Sequence, residues 1–387
     1  MVPIKYNVRN LVVRKSTTAA AAFGLALVVF VFAGALMLAN GIERTLGRAA
    51  SPDVVIVMRK GSDTEMTSTV EDKHVSLVLA QAEQIGASKK PVGVGEVLAV
   101  VLLPKTGVEG ESNVTVRGVT EDVLQFRPSV KIVEGRAANA GADEVVIGQS
   151  LQGRFKGMNI GDSFELKKNR PMKVVGIFAD SGSAYESEVW ADVHAVRQAF
   201  GRTGSVSSVR VRLDSPSKFD AFKALVEGDR QTGLVAMREA DYVEKQSQGT
   251  GIMLKVLGGM VAFFFGVGAM IGATITMNAQ VAGRSREIGT LRALGFSKAS
   301  ILFSFLIESL VLSLAGGLVG ALAAIAMKSV KITMLNFGTF TEIVFGFEPT
   351  PEILVSAVIL SAFMGLVGGF LPAVRAARVS PIEAMRG

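Results

Sequence analysis

The sequence has no cysteine, which excludes disulfides and thiolate metal centres. Its only histidines, His74 and His194, stand far apart and do not suggest a metal cluster. No G-x-x-x-x-G-K-S/T loop occurs, so the chain does not bind nucleotide through a Walker motif. There is no G-x-S-x-G elbow and no H-E-x-x-H, and no pattern pairs its Ser, Asp and His. A non-catalytic chain is therefore expected. Charge is also scarce: 19% of residues are charged against 49% hydrophobic, with 42 glycines, a balance that points to membrane segments. The net charge of +7 comes from Lys and Arg beside apolar runs rather than on a basic face interleaved with aromatics, so no nucleic-acid partner is expected.

What is present is apolar length. A bilayer core of about 30 Å needs about 20 apolar residues in a helix. From Ser16 to Ile42 no charge falls between Lys15 and Glu43, and from Val256 to Gly283 none falls between Lys255 and Arg284. Ala299–Met327 carries the single acid Glu308, and Ile353–Val374 is uncharged between Glu352 and Arg375. Four transmembrane helices follow, over 16–42, 251–283, 299–327 and 353–374. The first is too long for the ~7–15-residue apolar core of a cleaved signal peptide, so it reads as a retained helix.

Lys and Arg near the span ends set the orientation. Lys5, Arg9, Arg14 and Lys15 precede the first span; Arg284, Arg286, Arg292 and Lys298 fill 284–298; Arg375, Arg378 and Arg386 follow the last. The loop 328–352 instead carries two lysines and three glutamates. Both termini, the 284–298 segment and the tail 375–387 are thus expected in the cytoplasm, with 43–250 outside and 328–352 a short extracytoplasmic loop. At the N-terminus Ile4, Val8, Leu11 and Val12 share one helical face, as in a cytoplasmic interfacial helix over 1–15 or the first turn of a longer helix.

The 43–250 segment reads as a mixed α/β domain. Val54–Met58, Val114–Val119, Glu144–Ile147, Lys173–Phe178 and Ser207–Leu213 are short β-branched runs, and Gly161-Asp162 marks a turn before Phe164. Helical patterns cover Ser76–Ile85, Ser150–Phe155, Asp192–Phe200 and Lys218–Glu227. From about Arg238 a charged, proline-free run predicts a stalk helix continuous with the second span, although Gly249 and Gly251 weaken that continuity. Glu43–Arg48 is its counterpart leaving the first span.

Within the membrane, Glu308 lies about 15 Å along the third span. A carboxylate near mid-membrane costs about 2.5–3.5 kcal/mol, so it is either a proton or substrate site or a polar contact to the bundle, such as to an arginine of the cytoplasmic rim. Glycines recur at spacing four: Gly268 and Gly272, Gly316 and Gly320, Gly365 and Gly369. These predict close helix packing within a subunit or across a dimer. In 284–298, Ser285 can cap a helix, Ile288, Leu291, Ala293 and Leu294 give it apolar positions, and Gly295 suits its C-terminus. An apolar helical pattern in so short a loop suggests a docking surface.

The run Arg284-Ser-Arg-Glu-Ile-Gly-Thr-Leu-Arg-Ala-Leu-Gly-Phe-Ser-Lys298 resembles the second-loop signature of the FtsX-like, MacB-type permeases of ABC transporters. Leu371-Pro-Ala-Val-Arg-Ala-Ala-Arg-Val-Ser-Pro-Ile-Glu-Ala-Met-Arg386, which contains Arg375, Arg378 and Pro381, is similar to the family's closing motif. Phe305-Leu-Ile-Glu-Ser-Leu with Leu314–Gly320 resembles its third span. Glu134-Gly-Arg136, Glu144–Gly148, Gly161-Asp162 and Val174–Phe178 resemble its MacB-like periplasmic core. The resemblance implies a four-span inner-membrane protein with an α/β domain between spans one and two. It also implies a homodimer or a paralogous permease pair, bound to two copies of a separate ABC ATPase subunit. ATP and Mg would bind that subunit, leaving no cofactor in this chain. A periplasmic adaptor protein is a further partner in some systems. The implied mechanism is mechanotransmission, with Arg284, Arg286 and Glu287 orienting a coupling helix. Leu291, Leu294 and Phe296 would enter the ATPase groove, with Ile288, Arg292 and Gly295 in the same segment. Arg375 and Arg378 would border that surface. A membrane-anchored sensor or scaffold, or a regulator of a cell-wall hydrolase, is the competing reading.

Overall fold

The computed structural model describes residues 15–229, 231–336 and 340–380. Residues 1–14 of the expected interfacial helix, and Pro381, lie outside these described residues. In chain order, α1 (Lys15–Gly47) is followed by β1 (Val54–Arg59), β2 (Val70–Glu71), α2 (Asp72–Gln84), β3 (Gly93–Pro104), β4 (Glu111–Val119) and α3 (Val123–Phe126). Then come β5 (Lys131–Gly135), β6 (Glu144–Gly148), β7 (Ser163–Lys167), β8 (Arg170–Ala179), β9 (Glu188–Asp192) and α4 (Val193–Phe200). The α/β segment closes with β10 (Ser205–Val206), β11 (Ser208–Arg212), α5 (Phe219–Gly228) and β12 (Leu234–Arg238). The remainder is α6 (Glu239–Ala282), α7 (Ser285–Ala293), α8 (Lys298–Ala326), β13 (Lys331–Asn336), β14 (Thr341–Gly346) and α9 (Pro351–Ala377).

Two compact units result. One holds the helical segments up to Gly41, Ile252–Val330 and Gly346 onward; the other is Ile42–Gly251 with Lys331–Phe345. The four helices α1, α6, α8 and α9 are long and apolar enough to cross a membrane. α6 runs unbroken for 44 residues, through Gly249 and Gly251.

In the α/β unit one sheet has the order β12-β1-β11-β3-β4-β9-β6-β8-β5, with β7 on β8. The long strand β3 changes partner midway: Gly93–Glu96 pair with β11 and Val97–Pro104 with β4. Strand alternation sends Val97, Ala99, Val101 and Leu103 of β3, Val114 and Val116 of β4, and Val209 and Val211 of β11 to one face. There they pack with Val78 of α2, Val196 of α4 and Phe222 of α5. The same alternation sends Glu96, Arg117, Glu188 and Arg210 to the other face. The helix expected at Ser150–Phe155 is a single 3₁₀ turn, Gln149–Leu151. Gly153 follows at a φ of +70°, which ends any helical course.

The segment 328–352 is more than a loop. β13 and β14 pair as a two-stranded ribbon that belongs to the α/β unit. Lys331–Met334 alternates polar and apolar residues and Gly338 falls between the two runs, a hairpin signal that the reading of 328–352 as a loop passed over.

In the bundle, the glycine pairs divide. A Cβ on Gly316 would lie 2.6 Å from Ala22 O, and one on Gly320 only 2.3 Å from Ala26 O, so α8 sits backbone-to-backbone on α1. A Cβ on Gly365 would meet Ser313 Oγ at 2.2 Å, and one on Gly369 Ser309 Oγ at 2.4 Å, which seats α9 on α8. A Cβ on Gly268 or Gly272 would meet nothing within 4 Å among the described residues, so this pair makes no close helix contact there. Both line an open apolar groove of about 560 Å³ between α1 and α6, with Ala20, Gly24 and Leu27 opposite. Pro372 interrupts α9 and removes the N–H that would serve Gly368 O. The Thr274 hydroxyl of α6 lies 2.8 Å from that carbonyl and 2.8 Å from Met270 O.

Candidate functional site

α7 is a short helix with a defined end. Phe296 N–H donates to Leu291 O at 3.2 Å and Gly295 N–H to Arg292 O at 3.1 Å. That pair of bonds satisfies two terminal carbonyls and requires a left-handed residue, which Gly295 supplies at a φ of +91°. At the other end Ser285 is not the cap. Arg284 N–H bonds Val281 O in a tight turn off α6, so Arg284 takes the N-cap position and Ser285 is already helical.

Part of the apolar spacing serves the bundle itself. Ile288 is buried in a cluster with Val281, Ile301, Phe305, Ala373 and Ala376, and Leu291 and Phe296 lean on it. The period therefore also fits α7 onto its own bundle, with Leu291 and Phe296 half-buried against it. Leu294 stands 72% exposed. It shares the outward surface with Arg286, Glu287, Thr290 and Ala293.

Arg284 is likewise not on that surface. It is buried, with Nη1 at 3.0 and 3.3 Å from the two carboxylate oxygens of Glu308, and its guanidinium lies 6.0 Å from the Phe305 ring centre. Glu308 thus makes the rim-arginine contact, one of the two readings open to it. Nη1 of Arg292 donates to Phe296 O at 3.0 Å, bracing the helix end. Arg375 reaches Asn278 Oδ1 at 3.1 Å, while Arg378 is exposed.

A second constellation lies in the α/β unit. Arg210, Glu96, Arg117 and Glu188 sit on adjacent strands β11, β3, β4 and β9, so charge alternates across four strands. The pairs are diagonal: Glu96 faces Ser208 and Leu98 faces Arg117, which puts each opposite charge two residues along. Arg210 Nη1 lies 2.6 Å from Glu96, Arg117 Nη1 2.8 Å from Glu96, and Arg117 Nη2 2.7 Å from Glu188. Glu65 takes Arg210 at 2.7 Å, Glu239 at the start of α6 takes Arg210 Nε at 2.8 Å, and Arg127 reaches Glu96 at 2.9 Å. Tyr242, one turn into α6, accepts the Glu65 N–H, and Trp190 Nε1 donates to Glu188.

All seven charged side chains are buried. Burial pushes Glu65 up, but Arg210 and Arg117 outweigh it and hold its carboxyl well below the usual range. For Glu96 burial is likewise outweighed by Arg127, Arg210 and Arg117, which bring it to about 2. Both stay ionised near neutrality, so the ladder acts as a cross-brace between strands and the foot of α6. Sequence reading missed it, although a charged residue at an alternate position of a β-branched run was the available signal. Among the described residues no group of His, Asp and Glu is placed to hold a metal ion.

Residues 18–228, more than half of the chain, match the family model of the MacB-like periplasmic core domain. The chain belongs to the MacB-type ABC transporter permeases. Residues 259–381 of this permease match the FtsX-like permease C-terminal domain. The uncharacterized ABC transporter permease YknZ of Bacillus subtilis (strain 168) is 26% identical over 293 residues, covering 72% of this chain and 71% of that protein. The macrolide export ATP-binding/permease protein MacB of Burkholderia pseudomallei (strain 1710b) is 31% identical over 300 residues, 70% of this chain and 43% of that protein. The permease therefore spans less than half the length of the MacB proteins it resembles. The crystal structure of the extracellular domain of YknZ from Gram-positive bacteria covers 48% of this chain and 99% of that one, at 15% identity and a TM-score of 0.36. The permease is a membrane protein of four spanning helices with an extracytoplasmic α/β domain after the first. As an ABC transporter permease it works with an ATPase.

Proposed function

We propose that this permease is the transmembrane subunit of a bacterial cytoplasmic-membrane transporter that works by mechanotransmission. Two copies of a separate ATPase subunit bind ATP and Mg and dock on α7; their closure moves the bundle, and the extracytoplasmic domain handles a substrate for export or extraction. The termini and α7 face the cytoplasm, as the Lys and Arg at the span ends require. The observation that carries this reading is the seating of α7. It is closed by Gly295, packed through Ile288 and pinned by Arg284 to Glu308 of α8, so force on its outward face reaches α8 directly.

A second copy of the permease is part of the proposal. The apolar window of α6 is 17% buried, half the 33% of the other three spans, and Gly268 and Gly272 open onto the groove beside it. A facing helix would cover both. A periplasmic adaptor would engage the extracytoplasmic domain.

Leu294→Asp tests the docking assignment. It is expected to cut co-purification of the ATPase subunit with the tagged permease at least fivefold, while the permease elutes and melts as wild type. Undiminished recovery of the ATPase would remove α7 as the docking site. Ile288→Asp is the control, expected to lower the melting temperature because it strikes the bundle core.

A further inference from the structure

The ribbon β13–β14 is joined by chain to α8 on one side and α9 on the other, yet it folds into the extracytoplasmic domain. Its attachment converges on Glu342, a buried carboxylate held by three donors from two separate segments. Lys105 Nζ lies 2.5 Å away, Ser112 Oγ 2.6 Å and Arg154 Nη2 2.7 Å. Arg154 Nη2 also reaches Thr333 Oγ1 at 2.9 Å, so one guanidinium grips both strands of the ribbon.

Apart from Val344 N–H, which donates to Ser187 Oγ at 3.1 Å, the remaining polar contact follows a single strand face. Asn113 Nδ2 donates to Phe340 O at 2.8 Å, and Thr115 Oγ1 lies 2.9 Å from Thr341 Oγ1. The next residue on that face of β4 is Arg117, which binds Glu65, Glu96 and Glu188. Glu65 in turn joins Tyr242, and Arg210 joins Glu239, at the foot of α6. Three consecutive outward positions of β4 thus run from the ribbon to the charge ladder and on to the second span's helix.

We propose that the β13–β14 ribbon is a strap, fastened at Glu342, that ties the extracytoplasmic domain to the connection between spans three and four and is coupled through β4 to the start of α6. The domain is then held by four chain crossings rather than by α1 and α6 alone. The strap does not depend on which substrate is moved or on the identity of the ATPase, so it stands or falls separately from the transport reading.

Amide hydrogen exchange on the full-length permease in nanodiscs tests it. Glu342→Ala removes the acceptor of three donors, two of them charged, and is expected to speed exchange in 331–336 and 341–346 about 10- to 100-fold. Residues 112–117 and 242–248 are expected to follow by at least threefold, with β8 unchanged as evidence that the domain stays folded. Because the sequence has no cysteine, Thr115→Cys with Thr341→Cys introduces one defined pair; its oxidation in the Glu342→Ala background should restore protection at both places. The proposal is overturned if Glu342→Ala leaves ribbon exchange within twofold of wild type. It is equally overturned if the ribbon loosens and 242–248 do not respond.

Discussion

The charge ladder makes a quantitative claim that depends on counting. Four carboxylates, Glu65, Glu96, Glu188 and Glu239, share three guanidinium groups, Arg117, Arg127 and Arg210, all of them buried. Arg210→Met removes the partner of Glu65, Glu96 and Glu239 at once and leaves the cluster two charges out of balance. Removing one partner of a buried pair costs about 3–5 kcal/mol. For a domain of this size that corresponds to a fall in melting temperature of about 6–20 °C. Glu96→Gln touches the most buried member of the ladder but leaves three carboxylates for three guanidiniums, and its cost should stay under about 2 kcal/mol. The assay is the fluorescence of Trp190, the only tryptophan, whose ring N–H bonds Glu188 inside the cluster. Acid titration supplies a second reading. Glu96 falls from an ordinary 4.5 to about 2 in the folded state, so the unfolded chain binds more protons between those values. The stabilisation is complete above about pH 4.5 and is lost as pH falls towards 2. Glu96→Gln should flatten that decline by about 1.4 kcal/mol per pH unit. If Glu96→Gln costs as much as Arg210→Met, charge balance does not govern the cluster and the argument fails.

Three further outcomes follow from the bundle. Gly320→Ala places a methyl 2.3 Å from Ala26 O and should cost about 1–3 kcal/mol in the melt, whereas Gly268→Ala should cost nothing. Gly268→Leu should instead reduce cross-linking between two permease copies; equal cross-linking would show that the groove is not where they meet. At the rim, Arg284→Met alone should destabilise more than Arg284→Met combined with Glu308→Leu, because the single variant takes a charge partner from a buried carboxylate. A double variant as unstable as the sum of the singles would show no coupling between them.

Much of the architecture was legible because it is written locally. The four spans declare themselves by apolar length, and strands β1, β4, β6, β8 and β11 by β-branched runs. β3 escaped because Gly93 and Gly95 look like breakers and Glu96 interrupts the apolar run. In the structure Gly93 is needed where the backbone of Arg210 passes, since a Cβ there would lie 2.4 Å from Arg210 O. Glu96 in turn meets its partners only when three strands come together. The ladder members are scattered from residue 65 to residue 239, and no spacing rule joins them. The 284–298 segment shows a different limit of sequence reading. Its apolar period was visible at Ile288 and Leu291, but period alone does not say whether the covering surface is a partner or the same chain.

Pro372 and Thr274 carry a consequence for how the spans are allowed to move. The Thr274 hydroxyl has one proton for two carbonyls, and Met270 O already has a helical donor in its own chain, so the proton belongs with Gly368 O. Inside a bilayer such a carbonyl is best served by a neighbouring helix or a hydroxyl, and Thr274 supplies one here. The proline in the fourth span is thus accommodated in part by Thr274 of the second. A slide of one helical turn, about 5.4 Å, would leave that carbonyl bare. That bond adds a directional contact to the close packing of Gly368 on Met270 and Ala273, which permits the two helices to tilt together and penalises sliding apart.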